Sequence, residues 1–117
     1  MQAPGIRTAF VTLPPLLGDI IRRLMERRVP LDIVDVLDSR DALAERLRLL
    51  APALILIGLD PGEDDAIAAS LATALAGTRV LALAHDARAA SLHEAGKEPR
   101  SLPDPSPREL IEAIREV

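Results

Sequence analysis

Residues 53–59 read Ala-Leu-Ile-Leu-Ile-Gly-Leu, and this run decides the fold. No polar residue alternates with its apolar ones. A strand with one wet face alternates; a run without alternation suits a central parallel strand covered on both faces. Pro52 stops whatever precedes it. The acidic turn Asp60-Pro61-Gly62-Glu63-Asp64-Asp65 follows.

Outward from this run, strands and helices alternate. On the N-terminal side, residues 31–37 (LDIVDVL) are rich in β-branched residues and read as a strand. Asp38 or Ser39 is placed to cap a helix whose inner face is Leu43, Leu47 and Leu50. Residues 7–13 (RTAFVTL) read as the first strand. Leu17, Ile20, Ile21 and Leu24 then recur at helical spacing, with Arg22, Arg23, Glu26 and Arg27 opposite, so residues 15–28 form an amphipathic helix that Pro30 ends.

On the C-terminal side, Ile67, Leu71 and Leu75 mark a helix, with acids at its start and Gly77 at its end. Residues 79–84 (RVLALA) read as a strand, 87–95 as a short helix, and 100–103 as a fifth strand. Ser106, Pro107 and Glu109 make a capping box for a last helix with Leu110, Ile111, Ile114 and Val117 on its buried stripe. The expected fold class is therefore α/β: a three-layer, doubly wound, five-stranded parallel sheet in the order 2-1-3-4-5, with residues 1–117 as one domain.

Composition narrows the function. Of the 117 residues, 49% are hydrophobic and only 1% aromatic, so the core is aliphatic. The net charge of −4 and the lack of stacking aromatics argue against nucleic acid as a partner. The chain has no cysteine, which removes thiolate nucleophiles and disulfides. There is no apolar run long enough to span a membrane and no signal-peptide pattern, so a cytoplasmic location is expected. Glycine-rich phosphate loops are absent, and neither a cofactor nor a metal is expected.

With the order of elements in place, the sequence resembles the receiver domains of bacterial response regulators. FVTLPPLLGDIIRRLMERR resembles their first strand and helix. PALILIG at 52–58 is similar to the stretch that ends in their phosphorylated aspartate. HEAG at 93–96 and SPREL at 106–110 resemble the segments around their last strand and last helix. The resemblance spans nearly the whole chain and implies the parallel fold given above.

The departures lie at the chemical positions. Where the resemblance implies an acidic pair for Mg²⁺, this sequence has Thr12 and Leu13. The phosphoacceptor position is Gly58, the hydroxyl position after strand four is Ala84, and the lysine position falls at Pro103, or at Asp104 if one residue is gapped. Phosphoryl transfer to a carboxylate needs an acceptor oxygen, a cation and positioned donors. Leu13 and Gly58 supply no Mg²⁺ ligand and no nucleophile.

Other polar residues have plainer readings. Asp60 is a turn aspartate, two residues past Gly58. Glu63, Asp64, Asp65 and Asp86 match no calcium loop and read as solvated helix-start charge. His85 follows strand four without a nucleophile beside it, and His93 reads as an exposed helix residue. Arg22, Arg23, Arg27 and Arg28 make a basic face on the first helix. In receivers that helix meets the kinase, so these arginines are the candidate partner-binding residues.

The expected function is a phosphorylation-independent pseudo-receiver. It would be no enzyme but a protein-protein interaction module in bacterial two-component signal transduction. Its partner would be a signalling kinase or an output protein, with a homodimer as a further expectation. The alternative is a flavodoxin-like domain that binds a small ligand in the crevice at the strand C-termini.

Overall fold

The computed structural model describes residues 5–25, 31–86 and 88–115. Within them one mixed sheet of six strands carries helices on both faces. The strands are β1 (Ile6–Val11), β2 (Leu31–Leu37), β3 (Leu54–Gly58), β4 (Arg79–Leu83), β5 (Ala89–His93) and β6 (Arg100–Pro103). The helices are α1 (Pro15–Met25), α2 (Leu43–Leu50), α3 (Ala66–Ala74) and α4 (Pro107–Arg115). The strand order is β2-β1-β3-β4-β5-β6.

The apolar run does what its composition demands. Leu54, Ile55, Leu56 and Ile57 of β3 are all fully buried. Because side chains alternate along a strand, they feed two cores. Ile55 and Ile57 lie in register with Ala9 and Val11 of β1 and with Val80 and Ala82 of β4. These pack against Leu43 and Leu47 of α2 and Leu71 and Ala72 of α3. Leu54 and Leu56 face the other way, toward Phe10, Leu81, Ile21 of α1 and Ile111 and Ile114 of α4. Each such side chain contributes about 1.5–3 kcal/mol by leaving water.

The parallel part, β2-β1-β3-β4, has the expected order. The remainder corrects the expectation of five parallel strands. The helix expected at 87–95 is replaced in the described residues by a strand: Ala89–His93 is β5, antiparallel to β4, and β6 is antiparallel to β5. The physical reason is the link from Leu83 to Ala89, which is too short to cross over and can only reverse the chain. Ala84 N–H donates to the Ala89 carbonyl (2.9 Å) and Asp104 N–H to the Arg88 carbonyl (2.7 Å). The side chains alternate between the two faces of the sheet. Ala90 and Leu102 are buried with α1 and α4, while their neighbours Ser91 and Ser101 turn to the other face. The turn between β5 and β6 places Gly96 at φ +79°, and Lys97 pairs with Glu94 at 2.9 Å.

Helix ends follow local chemistry. The capping box of α4 is present: Glu109 N–H donates to Ser106 Oγ, and Ser106 N–H to Glu109 Oε1, both at 3.2 Å. Arg79 donates to the carbonyls of Ala113 and Ile114 at the other end of α4. Burial lowers the pKa of Arg79, opposed by the charge of Glu94. Arg7 donates to the Leu50 carbonyl at the end of α2 (2.6 Å). Asp38 and Ser39 do not cap α2. The helix starts at Leu43, behind Ala42 in a left-handed conformation and without a side-chain cap. Residues 38–40 instead run on past β2 and carry Arg40 over the end of the sheet. Among the described residues no helix is long and apolar enough to cross a membrane.

Candidate functional site

The C-terminal edge of the parallel strands is where α/β sheets place ligands and chemistry. β1 ends at Val11, and Thr12 turns the chain into the left-handed region, with φ +48°. A β-branched residue rarely adopts this conformation, which costs of order 1–3 kcal/mol. Two hydrogen bonds hold it there. Thr12 N–H donates to the Leu37 carbonyl (2.8 Å), and Thr12 Oγ1 donates to the Gly58 carbonyl (2.9 Å).

This turn folds onto β3. A Cβ placed on Gly58 would lie 2.6 Å from the Thr12 carbonyl oxygen and 3.2 Å from the Leu13 Cα. Gly58 is thus required by close backbone approach. The space in which a side chain at this position would start is occupied by the main chain of Thr12.

Arg40 closes the edge from the β2 side. Its Nη2 donates to the Gly58 carbonyl (2.9 Å) and to Glu63 Oε1 (2.7 Å), while its Nη1 binds Glu63 Oε2. The pairing is the two-pronged arginine–carboxylate geometry. Asp60 N–H also donates to Glu63 Oε1 (2.8 Å), and the Asp60 carboxylate stands 3.9 Å from Arg40. The Arg40 hydrogen bonds, and after them the Asp60 N–H, hold the Glu63 carboxyl below its ordinary range. The Glu63 hydrogen bond holds Arg40 above its own.

The side chains at the other positions that the resemblance singled out do not meet here. Leu13 packs partly buried into the α1 face. Ala84 is half-buried beyond β4 and engages β5 by its N–H. Pro103 is exposed at the end of β6. Because β5 intervenes, Pro103 sits three strand spacings from β3 rather than two, or about 14 Å instead of 10 Å.

The acids fall into separate roles. Asp64 accepts from Ala66 N–H (3.0 Å), Asp86 from Arg88 N–H (3.0 Å), and Glu63 binds Arg40. Among the described residues no group of three or more acidic or histidine side chains is placed to hold a metal. His85 is exposed. His93, expected on a solvated helix, is 3% exposed on β5. Its Nε2 meets Ser91 Oγ (2.9 Å) and Asp65 Oδ2 (3.0 Å), while Nδ1 is buried without a partner. Serine and aspartate share one ring nitrogen, so the three do not form a nucleophile relay, which needs the two on opposite nitrogens.

Of the basic face, Arg22 and Arg23 are exposed on α1, with the Arg22 guanidinium 5.5 Å from the centre of the Phe10 ring. Arg27 and Arg28 lie outside the described residues. Leu16 and Ile20, also exposed, share α1 with Arg22 and Arg23.

Sequence reasoning missed Arg40. Its signal was an arginine just past the end of one strand and an acid, Glu63, just past the end of another. Charge at two strand ends becomes legible as a pair only once the strand order is known. No protein-family model, curated protein or solved structure matches the chain.

Proposed function

We propose that the chain is a receiver-like domain that works without phosphorylation, as a protein-interaction module in bacterial signal transduction. One observation carries the reading: the position that would hold the phosphoacceptor is Gly58, and the Thr12 carbonyl lies where its side chain would begin. Three further features support it. No carboxylate stands at Thr12 or Leu13 to hold Mg²⁺. The Arg40–Glu63 pair covers the same edge. The order β2-β1-β3-β4 with α1 beside the last helix is the receiver-like part of the architecture. A domain of this kind is no enzyme; it signals by binding a kinase or an output protein, in the cytoplasm.

The binding surface in this reading is α1. Arg22 and Arg23 are exposed and present positive charge on a net-acidic chain. Such a surface steers an acidic partner and weakens with salt. Arg22→Glu, Arg23→Glu and Arg27→Glu together should abolish salt-sensitive capture of the partner. The melting temperature should stay close to wild type, with the Arg22–Phe10 contact worth about 0.5–1 kcal/mol. Recovery of the same partners by the triple variant would overturn the reading.

A further inference from the structure

The strand edge that is closed above β3 is open beside β1. β2 is the edge strand, and its Val36 pairs with Phe10 on the α1 face. On that face the described helices are α1 and α4, and Val36 remains 46% exposed. Between Val36 and the first turns of α1 lies a cleft of about 180 Å³. Phe10, Leu13 and Val36 form its apolar floor, and Asp19, Arg22 and Asp38 stand around it.

Gly18 makes the room. It lies inside α1, where glycine is the poorest residue after proline. Packing does not require it: a Cβ there would meet nothing nearer than the Phe10 ring at 3.5 Å, an ordinary contact. The residue lines the cleft, so a side chain at this position would take up its volume.

The charged groups around the cleft are unengaged. Among the described residues neither Asp19 nor Asp38 has an ion pair or a side-chain hydrogen bond, and Arg22 contacts only the Phe10 ring. Two acids and one base around a hydrocarbon floor recognise a molecule that carries both charges and a short apolar body. The volume is about six times a water molecule's share of the liquid, and below that of sites for drug-sized ligands.

We propose that this cleft binds a small aliphatic amino acid. The ammonium faces Asp19 and Asp38, the carboxylate faces Arg22, and the side chain lies on Phe10, Leu13 and Val36. The site is separate from the α1 docking role, apart from sharing Arg22.

The test is an NMR and calorimetric titration of the whole protein with L-leucine. Two truncated analogues accompany it: 4-methylpentanoate, without the amine, and isoamylamine, without the carboxylate. Leucine should saturate, with shifts centred on residues 10–22 and 36–38, and each analogue should bind at least about 10-fold more weakly. Gly18→Ala should weaken leucine binding by about 10-fold or more while the melting temperature holds or rises, which excludes misfolding as the cause. Asp38→Asn should also weaken it, leaving the fold intact. No saturable binding of leucine up to ~10 mM, equal binding of an analogue, or wild-type affinity in Gly18→Ala would overturn the proposal.

Discussion

Replacing Gly58 with alanine puts a single carbon against the Thr12 carbonyl oxygen. The distance of 2.6 Å is about 0.8 Å or more short of an ordinary contact. The opposing atom is backbone, so no side chain can swing away. Retreat of the turn stretches the Thr12 N–H bond to Leu37 and the Thr12 hydroxyl bond to Gly58. Overpacking of this kind costs about 1–3 kcal/mol, and a weakened hydrogen bond adds about 1 kcal/mol. The expected loss is about 2–4 kcal/mol. At this chain length that lowers the melting temperature by about 8–15 °C. Thermal and urea melts followed by circular dichroism measure it directly. Thr12→Gly in the same background relaxes the left-handed strain and lets the turn withdraw, so the double variant should regain part of the loss. A Gly58→Ala protein melting within about 2 °C of wild type would refute the close approach.

Two further substitutions probe the surroundings. Because Arg40 holds the Glu63 carboxyl low, its stabilising effect is complete above the unfolded carboxylate value of about 4.3 and fades as pH falls through the lower folded value. The stability gap between wild type and Glu63→Gln should therefore be about 1 kcal/mol at neutral pH and shrink in acid, and a gap constant from pH 7 to pH 3 in urea melts would contradict the pairing. His93→Ala should cost about 2 kcal/mol, because it empties a buried site on β5; a change below about 0.5 kcal/mol would restore the solvated-helix reading of residues 87–95.

Long-range order was legible where side chains were large. Within the run at 53–59, residues 54–58 are a doubly covered strand, because consecutive Leu and Ile at 54–57 leave no wet face. The parallel pairing of the first four strands followed from alternation with helices, their order from the commonest arrangement of such sheets, and the α4 capping box from Ser106 and Glu109. The hairpin of β5 and β6 was not legible for a local reason. Ala87, Ala89 and Ala90 favour a helix, and in β5 the period-two signal rests on Ala90 and Leu92 against Ser91 and His93, too weak to oppose that propensity. His93 was misread with it, since a residue's burial follows the element it sits on. At the site, the missing acids at Thr12, Leu13 and Gly58 were readable as chemistry withheld. What fills the space was not. The Thr12 main chain and the Arg40–Glu63 pair join three segments that are distant in sequence, and no local pattern announces such a meeting.

The central claim is that the strand edge above Gly58 takes up no phosphoryl group. An amide NMR spectrum of the ¹⁵N-labelled protein, recorded with beryllofluoride and Mg²⁺ and then with acetyl phosphate, tests it most directly. With no carboxylate at Thr12, Leu13 or Gly58, and Arg40 already bound by Glu63, the account predicts that the resonances of Thr12, Gly58, Asp60 and Ala84 stay in place. Saturable shifts of those resonances, or a stable phosphoryl adduct on Asp60, would contradict it.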